Sequence, residues 1–197
     1  MEEYCQGALA QVRLCEADES QQRPTVEEML TIRRASVCVS ALFVLTEYAY
    51  SLELPREFFA LPVIQSIQTA AIELTLMHND ILSYYREESD RAPHNLVAIA
   101  RLRGMTAQSA FDHIASLVQS RLTEIDEAIA SLNGYGGCYL QEATWKYVGA
   151  MQDVVRANLY WSFESDRFSS KEQKLEVLDN RRLYVRARPA FLGAASM

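Results

Sequence analysis

Asn79-Asp80-Ile81-Leu82-Ser83-Tyr84-Tyr85-Arg86-Glu87 is the stretch on which the reading of this chain turns. It lies inside a long helical pattern, and Asn79, Ser83 and Glu87 recur every fourth residue, each about 40° round the helix from the last. One face therefore carries an amide carbonyl, a hydroxyl and a carboxylate stacked over about two turns, ~12 Å. Three such oxygens suit one hard divalent cation with waters completing its shell, and magnesium is the natural candidate. Taken alone, the same spacing describes a solvated helix face about as well.

Working outward, Pro62 suits the first turn of the helix that carries this stretch, which should run to about Glu88. Upstream, residues 1 to about 17 read as the end of a helix, and Glu16 to Arg23 as a polar loop. Pro24-Thr25-Val26-Glu27-Glu28 then gives a helix start, with Thr25 as cap and Glu28 three residues on. That helix carries Arg33-Arg34. The apolar run Val37 to Leu45 is too short to span a membrane and ends near Glu47, so it is expected to be a buried helix. Leu52 to Phe59 is read as a connector. Downstream, Ser89 to Pro93 forms a break, Asn95 to Arg103 a short helix stopped by Gly104, and Thr106 to Leu132 a long amphipathic helix. Asn133-Gly-Tyr-Gly-Gly is a turn, 139 to about 163 is helical, and the tail 169–197 is expected to be loose. No period-2 pattern or internal repeat is present, so the class is all-α.

Composition narrows the function classes. The 197 residues are 49% hydrophobic and 23% charged, ordinary for one globular domain. A net charge of −7 gives no global basic field for a polyphosphate surface, which argues against nucleic acid as a partner. Cys5, Cys15, Cys38 and Cys138 show neither C-x-x-C spacing nor a neighbouring histidine cluster, which argues against zinc and a disulfide framework and for reduced thiols in the cytoplasm. The acidic Met1-Glu2-Glu3 start is unlike a signal peptide, and no membrane anchor is expected. His78, His94 and His113 lack ligand spacing.

The N-D-x-x-S-x-x-x-E pattern resembles the second metal-binding motif of class I terpene synthases, most closely the fungal sesquiterpene cyclases. A second segment, Trp161-Ser162-Phe163-Glu164-Ser165-Asp166-Arg167-Phe168, resembles their C-terminal W-S-F-E-x-x-R-Y, with Phe168 in place of the tyrosine. The resemblance implies a helical barrel around an apolar cavity over residues 1–168, and magnesium-dependent ionisation and cyclisation of a prenyl diphosphate, farnesyl diphosphate above all. It further implies that Asn79, Ser83 and Glu87 bind Mg2+, that Arg86 and Arg167 touch diphosphate, and that Trp161 steadies the carbocation, with Phe43, Tyr48 and Phe163 as weaker choices. Arg33-Arg34 resembles the R-R-x-T/S segment whose arginine senses diphosphate, and spacing does not choose between the two. Cys38 stands where that segment has a glycine.

One expected motif is missing, since no Asp-Asp pair exists in the chain to match the family's aspartate-rich D-D-x-x-D/E segment. The resemblance therefore implies the C-terminal half to two-thirds of a cyclase, a truncated chain whose uncovered apolar helices favour self-association. A prenyl-chain transferase, with two aspartate-rich motifs, fits less well. The other class left open is a non-catalytic helical protein that binds magnesium and diphosphate or pairs with another polypeptide.

Overall fold

The computed structural model describes residues 2–16, 24–90, 94–132, 138–168 and 170–180, together with 182 and 185. Every regular element among them is helical: α1 (Glu2–Glu16), α2 (Val26–Ser36), α3 (Val39–Ala49), α4 (Arg56–Phe59), α5 (Pro62–Ser89), α6 (Leu96–Leu102), α7 (Ala107–Ser131), α8 (Cys138–Glu164) and α9 (Lys171–Asn180). The boundaries follow local chemistry. Thr25 closes the capping box with Glu28, Asn95 and Thr106 cap α6 and α7, and Pro62 opens α5 where no amide partner is needed. Gly104, at φ +96°, ends α6 in a conformation that a side chain resists.

α5 is the axis of the molecule. Its 28 residues span about 42 Å, and it packs on α7 and α8 most extensively, then on α6, α2 and α3. Its N-terminal half enters one apolar cluster with Phe43, Phe58, Tyr147 and Met151. Its C-terminal half enters a second, where Leu76, Met77 and Tyr84 meet Met29, Leu96 and Ile114. With partners on several sides, α5 buries charged residues as well as apolar ones, and Glu73, Asp80 and Glu88 are all inaccessible. Each must then be paired. At the α1–α2 crossing Gly7 has no room for a side chain, because a Cβ there would lie 2.6 Å from that of Ala35.

Two expectations need correction. The run Val37–Leu45 is not a buried helix: α3 sinks Val39 and Phe43 but leaves Leu42, Val44, Leu45 and Tyr48 exposed, the last at 85%. Hydrophobicity signals a need for cover, and no described helix covers that side. Residues 171–180 of the expected loose tail form α9, held by Lys174, whose ammonium bonds the Asp166 carboxylate at 2.8 Å. The loops expected at Glu16–Arg23, Ser89–Pro93 and Asn133–Gly137 fall largely outside the described residues, as does most of the tail beyond residue 180.

Val26–Ala49 is apolar and long enough on composition to cross a membrane. Cys38, at φ +61°, breaks it into two helices of 11 residues, each about 17 Å long against the ~30 Å of a bilayer core.

Candidate functional site

Asn79, Ser83 and Glu87 lie on one face of α5, on the side where α2 and the start of α6 approach it. Ser83 is fully buried, yet its Oγ has no hydrogen-bond partner among the described residues. A helical serine in that position normally bonds back to the carbonyl four residues earlier, as Ser89 and Ser162 do here. Buried hydroxyls rarely go unsatisfied, so an unpaired oxygen between two other oxygen donors fits a cation site. Glu87 accepts a 2.8 Å bond at Oε2 from the Asn95 amide, while its Oε1 has no hydrogen-bond partner among the described residues. Among those residues no three His, Cys, Asp or Glu side chains converge. The donor set is therefore an amide, a hydroxyl and one carboxylate. Such a set suits a hard cation that keeps waters or substrate oxygens in its shell.

Asp80 and Asn95, which the sequence reading did not single out as site residues, build the frame. Asp80 takes Arg33 Nη2 at Oδ1 and the Leu96 amide at Oδ2, the latter at 2.8 Å. Burial pushes its carboxyl up to about 6, against the pull of Arg33 and with Glu87 adding to the rise. The group still ionises at neutral pH and pairs with Arg33. Both partners are out of water, so removing either would cost about 3–5 kcal/mol by stranding the other. The Asn95 amide donates to the Asp80 carbonyl at 2.7 Å, and its oxygen accepts the Val97 and Ala98 amides that open α6. Asp80 was legible as part of the N-D motif. Asn95 was legible only as a helix start.

The structure divides the arginine pair. Arg33, buried, reaches the motif side of α5, and His94 feels both it and Glu87, its pKa lowered by burial and then by Arg33, with Glu87 opposing. Arg34 turns aside to Glu73, which also receives Arg121 from α7, so that a buried carboxylate is clamped from two helices. On another side of α5, Glu88 bonds Arg101 at 3.0 Å and the Tyr84 hydroxyl at 3.1 Å, a buried triad that locks α6 to α5. Burial raises the Tyr84 phenol above its ordinary range.

Arg86 and Arg167 are brought together at the end of α8, where Arg86 Nη1 donates to the Arg167 carbonyl at 2.7 Å. The Arg167 guanidinium lies 5.8 Å from the centre of the Trp161 ring and 5.5 Å from that of Phe168, and the two rings meet edge to face. Phe168 is buried in this stack, a place where a ring suffices without a hydroxyl. Trp161 is about half exposed. Of the weaker aromatic choices, Phe43 is core, Tyr48 is open to solvent, and Phe163 lines a hollow of about 660 Å³ with Ile81, Phe111 and Leu178.

Comparison with known proteins identifies the family and the fold. The family described as terpene synthase family 2, C-terminal metal binding, matches residues 1–124. Silphinene synthase peniA of Penicillium patulum is 38% identical over 175 residues, covering 89% of this chain and 46% of that protein. Cycloaraneosene synthase sdnA of Sordaria araneosa is 31% identical, over 85% of this chain and 47% of its own length. The structure of an a-eudesmol synthase superposes with a TM-score of 0.68 at 21% identity, covering 83% of this chain and 53% of that one. That of a germacradien-4-ol synthase from Streptomyces citricolor superposes with 0.62 at 20%, covering 72% and 47%. Those likenesses establish the isoprenoid synthase fold. The chain spans about half the length of the curated relatives it matches. With a family match over more than half of its residues, this chain belongs to the terpene synthases, as part of their C-terminal metal-binding domain.

Proposed function

We propose that this chain provides the asparagine–serine–glutamate metal site and the basic residues of a sesquiterpene cyclase that ionises a prenyl diphosphate, farnesyl diphosphate in first place, and releases inorganic diphosphate. The observation that carries the reading is the buried, unbonded Ser83 hydroxyl set one turn from Asn79 and one turn from Glu87. Those three side chains would hold magnesium, which when bound supplies Lewis-acid stabilisation of the charge that grows on the departing diphosphate.

The chain's own residues do the rest. Arg33, fixed by Asp80 beside the proposed metal face, is our assignment for the diphosphate-sensing arginine, because its buried Nε has no partner among the described residues, whereas Arg34 turns away to Glu73. Its guanidinium stays charged and is already oriented, so little reorganisation is needed as the carbon–oxygen bond breaks. Arg86 and Arg167 add two exposed cationic groups that can bind phosphate oxygens. The Trp161 ring already faces one cation, the Arg167 guanidinium, and can face an allylic cation by the same quadrupole. Its exposure means that water is excluded there only when another segment covers it. We take that segment to be a helical one carrying an aspartate-rich motif, so that the chain alone is expected to bind without efficient turnover. A cytoplasmic setting suits the free thiols of Cys5 and Cys38.

The exposed apolar side of α3 favours a second reading, a non-catalytic helical protein that binds magnesium and diphosphate or a partner chain. The test is incubation with farnesyl diphosphate and Mg2+, with hydrocarbon analysis and calorimetric titration of inorganic diphosphate, on wild type, Asn79→Ala and Glu87→Ala. Magnesium-dependent binding lost in both variants supports the metal site. Cyclic hydrocarbon produced by the chain supports the cyclase outright, binding with no product even after an aspartate-rich helical segment is supplied supports the second reading, and no binding at all overturns both.

A further inference from the structure

Asn95 is completely buried and uses its whole side chain: the oxygen accepts two α6 amides, at 2.9 and 3.3 Å, and the amide donates to the Asp80 carbonyl and to Glu87 Oε2, at 2.7 and 2.8 Å. A helix cap needs only the oxygen. The two donations run across to α5, and one ends on the carboxylate of the metal face. Glu87 is a half-buried side chain two helical turns from Asn79. Held at Oε2, it keeps Oε1 without a hydrogen-bond partner among the described residues. Asp80, pinned by Arg33 and by the Leu96 amide, keeps α6 and hence Asn95 in place.

We propose that Asn95 is a positioning residue for the metal ligand Glu87, acting through its amide donation and independently of its role as the α6 cap. The inference rests on the metal-site reading above. A carboxylate that also accepts a fixed hydrogen bond has fewer orientations to lose on binding, and partners of this kind are worth about 10- to 100-fold in metal affinity.

Serine at 95 retains a cap oxygen and is too short to bridge to Glu87, so Asn95→Ser separates the two roles. The experiment measures Mn2+ binding by electron paramagnetic resonance, with and without inorganic diphosphate, on the full chain as wild type, Asn95→Ser, Glu87→Gln and the double variant, with helicity followed by circular dichroism. Expected are a folded Asn95→Ser with affinity lower by about 10-fold or more, and no added loss from Asn95→Ser in the Glu87→Gln background. A folded Asn95→Ser with wild-type affinity, or losses that simply add, overturns the inference while leaving the metal site standing. Wild type that binds no Mn2+ removes the metal site and this inference together. Should Asn95→Ser lose its helicity, the Asn95 side-chain amide resonance of the wild type, titrated with Mg2+, decides. A shift that saturates with metal binding upholds the coupling, and a resonance that stays still while metal binds refutes it.

Discussion

Ser83 places a hydroxyl in the core with no partner and at a register where its neighbours on the same face are also oxygen donors. An unsatisfied buried polar group costs about 1–3 kcal/mol. Ser83→Ala is therefore expected to leave thermal stability unchanged or to raise it by about 1 kcal/mol, while weakening Mn2+ binding; a clear drop in melting temperature would mean that the hydroxyl has a structural partner. His78 gives a second residue-scale expectation. Its Nδ1 is buried without a partner, and burial holds its pKa below the ordinary 6.5. The unfolded chain then gains a proton first as pH falls, so the stability from a neutral His78 is complete above about pH 6.5 and is lost as pH drops toward the folded pKa. Asp80, raised to about 6, works in the opposite sense, so a comparison between variants is needed. Between about pH 7.5 and 5.5 the melting temperature of wild type should fall further than that of His78→Gln, and parallel curves would contradict the assignment.

At the scale of elements, legibility followed local chemistry. Thr25 with Glu28, Pro62, Thr106 and Gly104 mark helix ends by what they do to the nearest amides and carbonyls, and the structure places α2, α5, α6 and α7 within a residue or two of those marks. α9 escaped because its helix has little apolar contrast and is tied down by Lys174, a contact that no periodicity announces. The clamps Arg34–Glu73–Arg121 and Arg101–Glu88–Tyr84 draw their arginines from other helices, and no local pattern marks them. Between α2 and α3 the chain turns at Cys38 in the left-handed region. For a non-glycine residue that conformation costs about 1 kcal/mol. Cys38→Gly should therefore stabilise the fold by up to about 1 kcal/mol in chemical denaturation, and a loss of similar size would show that the thiol makes a compensating contact.

On the scale of the whole molecule, the shared face of Asn79, Ser83 and Glu87 was legible because four-residue spacing survives in one dimension, whereas the frame around it depends on α6 folding back along α5. Uncovered apolar helices were expected from the sequence, but which faces stay uncovered was not legible, and α3 was expected to be buried. Leu42, Val44, Leu45 and Tyr48 on α3, with Tyr160 and Trp161 on α8, remain exposed. Large apolar patches favour association. Sedimentation of the chain should show concentration-dependent oligomers, and Val44→Lys with Leu45→Glu should shift it toward monomer with little change in melting temperature. A wild type that stays monomeric at high concentration would contradict this. The central claim is that Asn79, Ser83 and Glu87 share one cation, and its most direct test is anomalous diffraction from crystals of the chain soaked in Mn2+ and inorganic diphosphate. The account predicts a peak about 2.0–2.4 Å from oxygens of all three residues. A peak elsewhere, or ordered diphosphate beside an empty α5 face, would contradict it.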